Sequence, residues 1–313
     1  MSELTVDSLE RYIGDFLSNI YLEGVFCGNM LREHALSTFR VAEKILVKKN
    51  GGKPMLPMQH LRSKEYDLAE GTDYLFEKRS PIHSFSALQV YYQVGLQTER
   101  NNVLCELLYQ MIYAQMFDTL RTKEQLGYVV FTGLSRSQSV VGMRVLVQSD
   151  REPSYVDQRV DRFFEWFRED LRNMSESKFQ DYVEATAVRK LERPKQIWFE
   201  AKIYVMEIFR RQFHFRRAQK EVELLRTLKK TDVEEFFARH IDPASGRRKK
   251  LAVVVLGEKA TSLVKEGKGN WNLISDILQF KTNLPLYQHL LPVTDTPLLS
   301  YKKVTKKTEK TEL

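Results

Sequence analysis

The chain has 313 residues, 42% hydrophobic and 29% charged, which excludes a disordered polymer and allows one large core or two modest ones. Its 49 Lys and Arg against 41 Asp and Glu leave a net charge of +8, yet no helix-turn-helix, zinc-finger or aromatic ribonucleoprotein signature directs that charge to nucleic acid, which is not an expected partner. The acidic opening from Met1 to Glu10 has no secretory apolar core, no apolar run reaches membrane-spanning length, and Cys27 and Cys105 make neither a disulfide framework nor a Cys-x-x-Cys site, so a cytoplasmic protein without membrane contact is expected.

Leu4 to Leu22 and Leu31 to Val47 place apolar residues three and four apart: Leu9, Ile13, Phe16 and Leu17, then Leu36, Phe39, Ala42 and Ile45. Two amphipathic helices follow, too few to make a core, so their apolar faces need partners and self-association is one expected outcome. Lys49 to Pro54 is a stop and turn signal, and the polar segment to Gly71 reads as a connector. From Asp73 the period becomes that of strands. Tyr74–Lys78 and Leu88–Leu96, divided by a turn at Ser80-Pro81, are expected to pair as antiparallel neighbours. A helix running to Leu120 leads into strands at Tyr128–Gly133 and Val140–Gln148, a second hairpin across the polar Ser135–Ser139.

After Pro153 the chain turns helical. Val160, Phe163, Phe164, Phe167 and Leu171 form one stripe, Ser175 opens the next helix, and Pro194 interrupts the series. Further helices are expected at Gln196–Phe213, Arg216–Lys229 and Asp232–His240, the last with Thr231 and Glu234 as a capping box. Leu251–Gly257 is a buried strand. The pattern as a whole is an α+β fold, a mostly antiparallel sheet with helices packed on one face. From Lys302 to Leu313 five lysines and two glutamates make a Lys/Thr-rich end, and residues 292–313 are expected to be disordered.

The junction between the long helix and the strand at Tyr128 carries the most specific signal. Gly127 falls where the backbone must reverse and is expected to supply left-handed geometry there. The phrase from Leu120 to Tyr128, Leu-Arg-Thr-Lys-Glu-Gln-Leu-Gly-Tyr, resembles the C-terminal half of insulysin-type metallopeptidases of the pitrilysin (inverzincin) family. The resemblance runs from Glu23 to Leu291. It implies residues 1–60 as the helical remnant of a third αβ domain, 61–71 as a linker and 72–291 as a fourth domain of the family's αβ-roll type.

The same resemblance implies that Arg121 and Tyr128 hold the substrate backbone and the developing oxyanion, with peptides as substrates and a zinc-bearing N-terminal half or a full-length family member as partner. Five guanidinium donors that never titrate and one phenol donor suit that task. Without the resemblance, an arginine in a last helical turn and a tyrosine opening a strand have ordinary explanations. The basic run Arg189, Lys190, Arg193, Lys195 is commonly a solvated helix end, and the resemblance adds a polyanion-binding role.

An inverted zinc motif needs two histidines at i and i+4 on one helical face with a glutamate beside them. The six histidines, 34, 60, 83, 214, 240 and 289, contain no such pair, and Met30-Leu31-Arg32-Glu33-His34 places a soft thioether where the first imidazole belongs. No metal or other cofactor is expected in this chain, and the resemblance puts zinc on an N-terminal half. No nucleophilic route appears: Gly-x-Ser-x-Gly is absent and Cys105 reads as a small core residue. Two functions follow. One is the non-metal-binding part of a zinc endopeptidase, inactive alone, that closes its peptide-degradation chamber. The other is a stand-alone peptide-binding or regulatory module that docks on a complete enzyme.

Overall fold

The structure is a computed structural model that describes residues 4–48, 51–56, 59–264 and 270–293. The first helix, α1 (Val6–Ser18), starts at a capping box in which Thr5 Oγ1 accepts from the Ser8 N–H and Ser8 Oγ from the Thr5 N–H. It stops short of Leu22 because the next two residues pair as a strand, β1 (Asn19–Ile20), parallel to β2 (Lys53–Pro54). Between them lie α2 (Arg32–Glu43) and a π-helical turn, Lys44–Lys48. No residue of α1 or α2 is buried, and Phe16 is 63% exposed. Arg211 ties this region to the rest of the chain: its guanidinium donates to Glu23 at 2.9 Å and lies 5.0 Å from the Tyr21 ring.

A six-stranded sheet is built from β3 (Thr72–Arg79), β4 (Ser86–Leu96), β5 (Val129–Arg136), β6 (Val140–Ser149), β7 (Lys249–Leu256) and β8 (Trp271–Leu273), in the spatial order β5-β6-β4-β7-β3-β8. The β5–β6 hairpin is as the sequence suggests. The expected pairing of β3 with β4 is not made. β7 enters between them, antiparallel to β4 and parallel to β3, and β8 pairs parallel with β3. The physical reason is burial: Leu251 to Leu256 is an uninterrupted apolar run suited to an interior strand, whereas β3 ends Glu-Lys-Arg. The short β3–β4 connection arches over the end of β7, with the Ser80 N–H on Leu256 O (2.8 Å), Arg79 on Gly257 O (2.8 Å) and the Glu258 N–H on His83 O (2.9 Å).

One face of the sheet carries the buried residues Leu88, Val90, Tyr92, Met143, Val145, Val147, Ala252 and Val254. Helices α3 (Glu99–Phe117), α4 (Pro153–Asn173) and α5 (Glu176–Leu191), with α6 (Ile197–Phe209), α7 (Arg217–Leu225) and α8 (Lys230–His240), follow in the chain. Of these, α3, α4 and α8 pack directly on the strands, while α5 and α7 pack on α3. The other face, with Gln89, Tyr91, Arg144, Val253 and Val255, stays partly open. The fold is thus a mixed, mostly antiparallel sheet with helices on one side.

Ser175 caps α5 as expected, accepting from the Lys178 N–H at 3.3 Å. Three expectations about helix limits change. Left-handed backbone at Arg211 (φ 58°) and Phe213 (φ 53°) ends α6 before Phe213. α7 stops at Leu225. α8 begins before Thr231, and the acceptor for its first turn is the Asp232 carboxylate, bonded to the Lys229 N–H at 2.8 Å, in place of a Thr231–Glu234 box. β8 and a short α9 (Ile277–Thr282) are not legible in the sequence pattern. The Lys/Thr-rich end lies outside the described residues except for Pro292 and Val293, whose N–H bonds Gln212 O at 2.8 Å.

A buried ionic cluster joins sheet to helix. Lys250, 1% exposed, reaches Asp157 at 2.8 Å and Asp161 at 3.3 Å on α4, while Arg248 bonds Asp161 at 2.9 Å and Asp73 at 3.1 Å. Burial raises the Asp157 carboxyl against the pull of Lys250. Near the end of α8, burial with the Arg239 and Lys249 cations beside it depresses the His240 imidazole from 6.5 to about 4. The folded ring stays neutral where the unfolded chain takes up a proton, so stability is full above about pH 6.5 and falls as pH drops toward 4, by roughly 3 kcal/mol in all. His240→Gln is expected to flatten the chemical-denaturation profile across that window, and an unchanged profile would show a ring that titrates freely in the fold.

Candidate functional site

The corner between α3 and β5 is set by four residues of the phrase noted above. After Phe117 the helix widens into a π-helical turn, Asp118–Lys123, closed by the Glu124 N–H on Thr119 O (2.9 Å) and the Leu126 N–H on Leu120 O (3.0 Å). Leu120 and Leu126 are buried in the core, Ser149 Oγ donates to Leu126 O, and Arg159 of α4 donates to Glu124 at 2.7 Å through Nε. The left-handed residue is Gln125 (φ 50°), a correction to the role expected of Gly127. Gly127 is needed for a different reason: a Cβ there would lie 1.8 Å from Gln148 O.

With Leu120, Glu124, Leu126 and Gly127 engaged in holding the backbone, Arg121 and Tyr128 project from it. The Arg121 guanidinium sits 5.2 Å from the Tyr128 ring centroid and 5.1 Å from that of Phe117. Tyr128 is 84% exposed, and neither its phenol nor the guanidinium has a hydrogen-bond or ion-pair partner among the described residues. The structure therefore brings the two candidate residues together, stacked and with their donors unused. Phe117 is the member that sequence reasoning missed. Its position four residues before Arg121 at the end of the helix was a readable signal.

The candidate polyanion residues divide. Lys190 is committed, its ammonium bridging Glu106 (2.5 Å) and the fully buried Glu221 (2.7 Å). Arg189 and Arg193 are exposed, and Lys195, 87% exposed, stands 3.6 Å from Glu192. Beside this run opens a cavity of about 620 Å³ whose lining counts eight basic and three acidic side chains, so its field is positive. Arg136 and Arg210 each leave a buried Nε without a partner there, and burial lowers the Arg210 pKa. Arg136 comes from β5, Lys202 and Arg210 from α6 and its C-cap, and Arg217 from α7, and joining the strand residue to the helical ones was not possible from the sequence.

Among the described residues no three His, Cys, Asp or Glu side chains cluster where they could hold a metal ion. His34 is an exposed residue of α2, and Met30 precedes that helix, so the two do not share a helical face. Cys105 is buried in the core, which pushes its thiol up to about 12 and makes it a poor nucleophile. No helix among the described residues is long and apolar enough to cross a membrane.

Residues 107–205 match a family model described as PQQ synthase PqqF-like, C-terminal lobe domain 4. The chain is 32% identical over 307 residues to insulin-degrading enzyme of Homo sapiens, covering 93% of this chain and 30% of that protein, and 34% identical over 304 residues to that of Drosophila melanogaster, covering 94% and 31%. It spans about 30% of the length of these relatives. In structure it is similar to pitrilysin, with a TM-score of 0.67 at 22% identity over 84% of this chain and 27% of that one. A peptidase M16 inactive domain from Pseudomonas fluorescens gives 0.56 at 14%, covering 83% and 60%.

Proposed function

This chain belongs to the M16, pitrilysin-type peptidases that include insulin-degrading enzyme, and from that membership we propose that it is a non-metal-binding part of such an endopeptidase, supplying contacts to the substrate backbone and the transition state and closing the degradation chamber. The observation that carries the proposal is the Arg121–Tyr128 pair, stacked at 5.2 Å on a rigid corner with every polar donor free among the described residues. Charge-assisted donation from a guanidinium suits a peptide carbonyl, and a phenol O–H beside it suits an oxygen that gains charge during reaction. The uncovered faces of α1 and α2 support a partner that completes the molecule. Zinc would reside on that partner, a zinc-bearing N-terminal half, and would supply the activated water; this chain's residues hold the peptide.

A second role for the same chain, polyanion binding, is favoured by the unpartnered Nε groups of Arg136 and Arg210 in the basic cavity. Exposed Arg189, Arg193 and Lys195 would meet a multiply charged anion at its rim, while Lys190 would act only by holding Glu106 and Glu221.

The dialysed chain alone is expected to retain no zinc by elemental analysis and to cleave no fluorogenic peptide. Mixed with a separately expressed zinc-bearing N-terminal half of a family member, it should restore chelator-sensitive cleavage, and inorganic triphosphate should alter that rate in wild type but not in Arg210→Gln. Stoichiometric zinc with cleavage by the chain alone would overturn the first reading. Inhibition of a full-length family enzyme without complementation would point to the regulatory module instead.

A further inference from the structure

The six-stranded sheet ends in two very different edges. β8 is three residues long, as protected edges commonly are. β5 is eight residues long, runs in unbroken register with β6 from Val129↔Gln148 to Arg136↔Val141, and contains no proline and no charge before its last residue. Up to Arg136 it thus has none of the bulges, charges or prolines that keep an edge from pairing. Outside its ladder with β6, no backbone group of Val129–Arg136 is bonded to another backbone group among the described residues, and no side chain bonds to that backbone. Phe131 lies on the open face of the sheet, 43% exposed and 5.3 Å from the Arg144 guanidinium.

This edge begins at Val129, directly after the corner that carries Arg121 and Tyr128. We propose that β5 takes an extended peptide as an additional strand, its backbone running along Val129–Arg136 from carbonyls held at Arg121 and Tyr128. The proposal rests on the reading of that corner as a carbonyl-binding site and extends it to a surface roughly 25 Å long. Main-chain pairing of this kind requires an extended backbone more than a particular side-chain sequence, so the ligand class is an unfolded peptide segment. A second copy of the chain fits less well. Antiparallel pairing of two β5 edges sets Arg136 of one copy toward the Arg121 corner of the other, like charge against like charge, whereas a peptide offers carbonyl acceptors there.

The test uses the full chain and a fluorescein-labelled, proline-free peptide as long as the strand, together with two versions N-methylated on alternate amides in the two opposite phases. An added strand turns only every second N–H toward the edge. Fluorescence anisotropy is expected to show that one phase weakens binding by about tenfold or more while the other leaves it near the parent value. Hydrogen exchange at Val129–Arg136 should slow when the parent peptide is added. Equal binding by both phases, no binding by the parent peptide, or no slowing at β5 would each overturn the proposal. Slowing that grows with protein concentration in the absence of peptide would also overturn it and assign the edge to a second copy. Arg121→Ala separates the two readings: if it leaves affinity unchanged while the phase effect persists, the strand stands and the corner falls. If it weakens binding while both phases bind alike, the corner stands and the strand falls.

Discussion

Tyr128→Phe, measured in this chain combined with a zinc-bearing N-terminal half, is expected to lower kcat by roughly a hundred- to a thousandfold while changing KM little, the loss of one oxyanion donor costing about 2.7 to 4 kcal/mol. The phenol donates most strongly when the carbonyl oxygen has become an oxyanion, so its contribution falls on the transition state. Arg121→Ala should behave differently. Its guanidinium would hold carbonyls whose charge changes little during reaction, so KM should rise along with any fall in kcat. Arg121→Lys should not restore it, because an ammonium lacks the planar fork and stacks poorly between Phe117 and Tyr128. Steady-state kinetics on one short peptide, with folding checked by circular dichroism, gives all three values. Wild-type turnover by Tyr128→Phe would reduce the tyrosine to an exposed residue ahead of a strand.

Lys250→Met is expected to destabilise the fold by about 3 to 5 kcal/mol, because the variant leaves Asp157 and Asp161 charged beside a buried apolar side chain. Burial already holds the Asp157 carboxyl above its ordinary range. Without the ammonium it should rise further, so the deficit relative to wild type should shrink as pH falls and the carboxyl becomes neutral. Lys250→Met combined with Asp157→Leu should recover much of the loss, since removing the pair costs far less than removing one partner. Urea denaturation at two pH values measures each of these. A deficit that does not depend on pH would mean that packing against Trp271, 4.8 Å from the ammonium, matters more than charge.

The β5–β6 hairpin, the α4 stripe and the Ser175 cap were legible because each depends on neighbours in sequence. The place of β7 was not. Leu251 to Leu256 announces burial, but which strands flank it depends on partners more than a hundred residues away, such as Leu75↔Ala252. At the candidate site the phrase around Gly127 gave Arg121 and Tyr128, although the reason for the glycine is the nearby Gln148 carbonyl and not a left-handed turn. The π-helical turn leaves no trace in composition. Lys190 shows a signal passed over: Phe179, Val183, Thr186 and Ala187 are buried at helical spacing, and Lys190 follows on the same face, where its charge meets Glu221. Read as a run, the lysine belonged to solvent. Read by period, it belonged to the interior.

The place of β7 also bears on how the chain is made. β4 and β3 flank a gap that only residues 249–256 can fill, and the ribosome reaches them after everything from Gln97 to Arg248. At ordinary elongation rates that interval is on the order of ten seconds. During it the edges of β3 and β4 facing the gap have no partner, and a nascent chain in that state is open to capture by chaperones or to pairing with the wrong strand. Synthesis that halts anywhere before Lys249 leaves β5-β6-β4 as a sheet and β3 as a strand without a partner, since β8 also lies beyond that point.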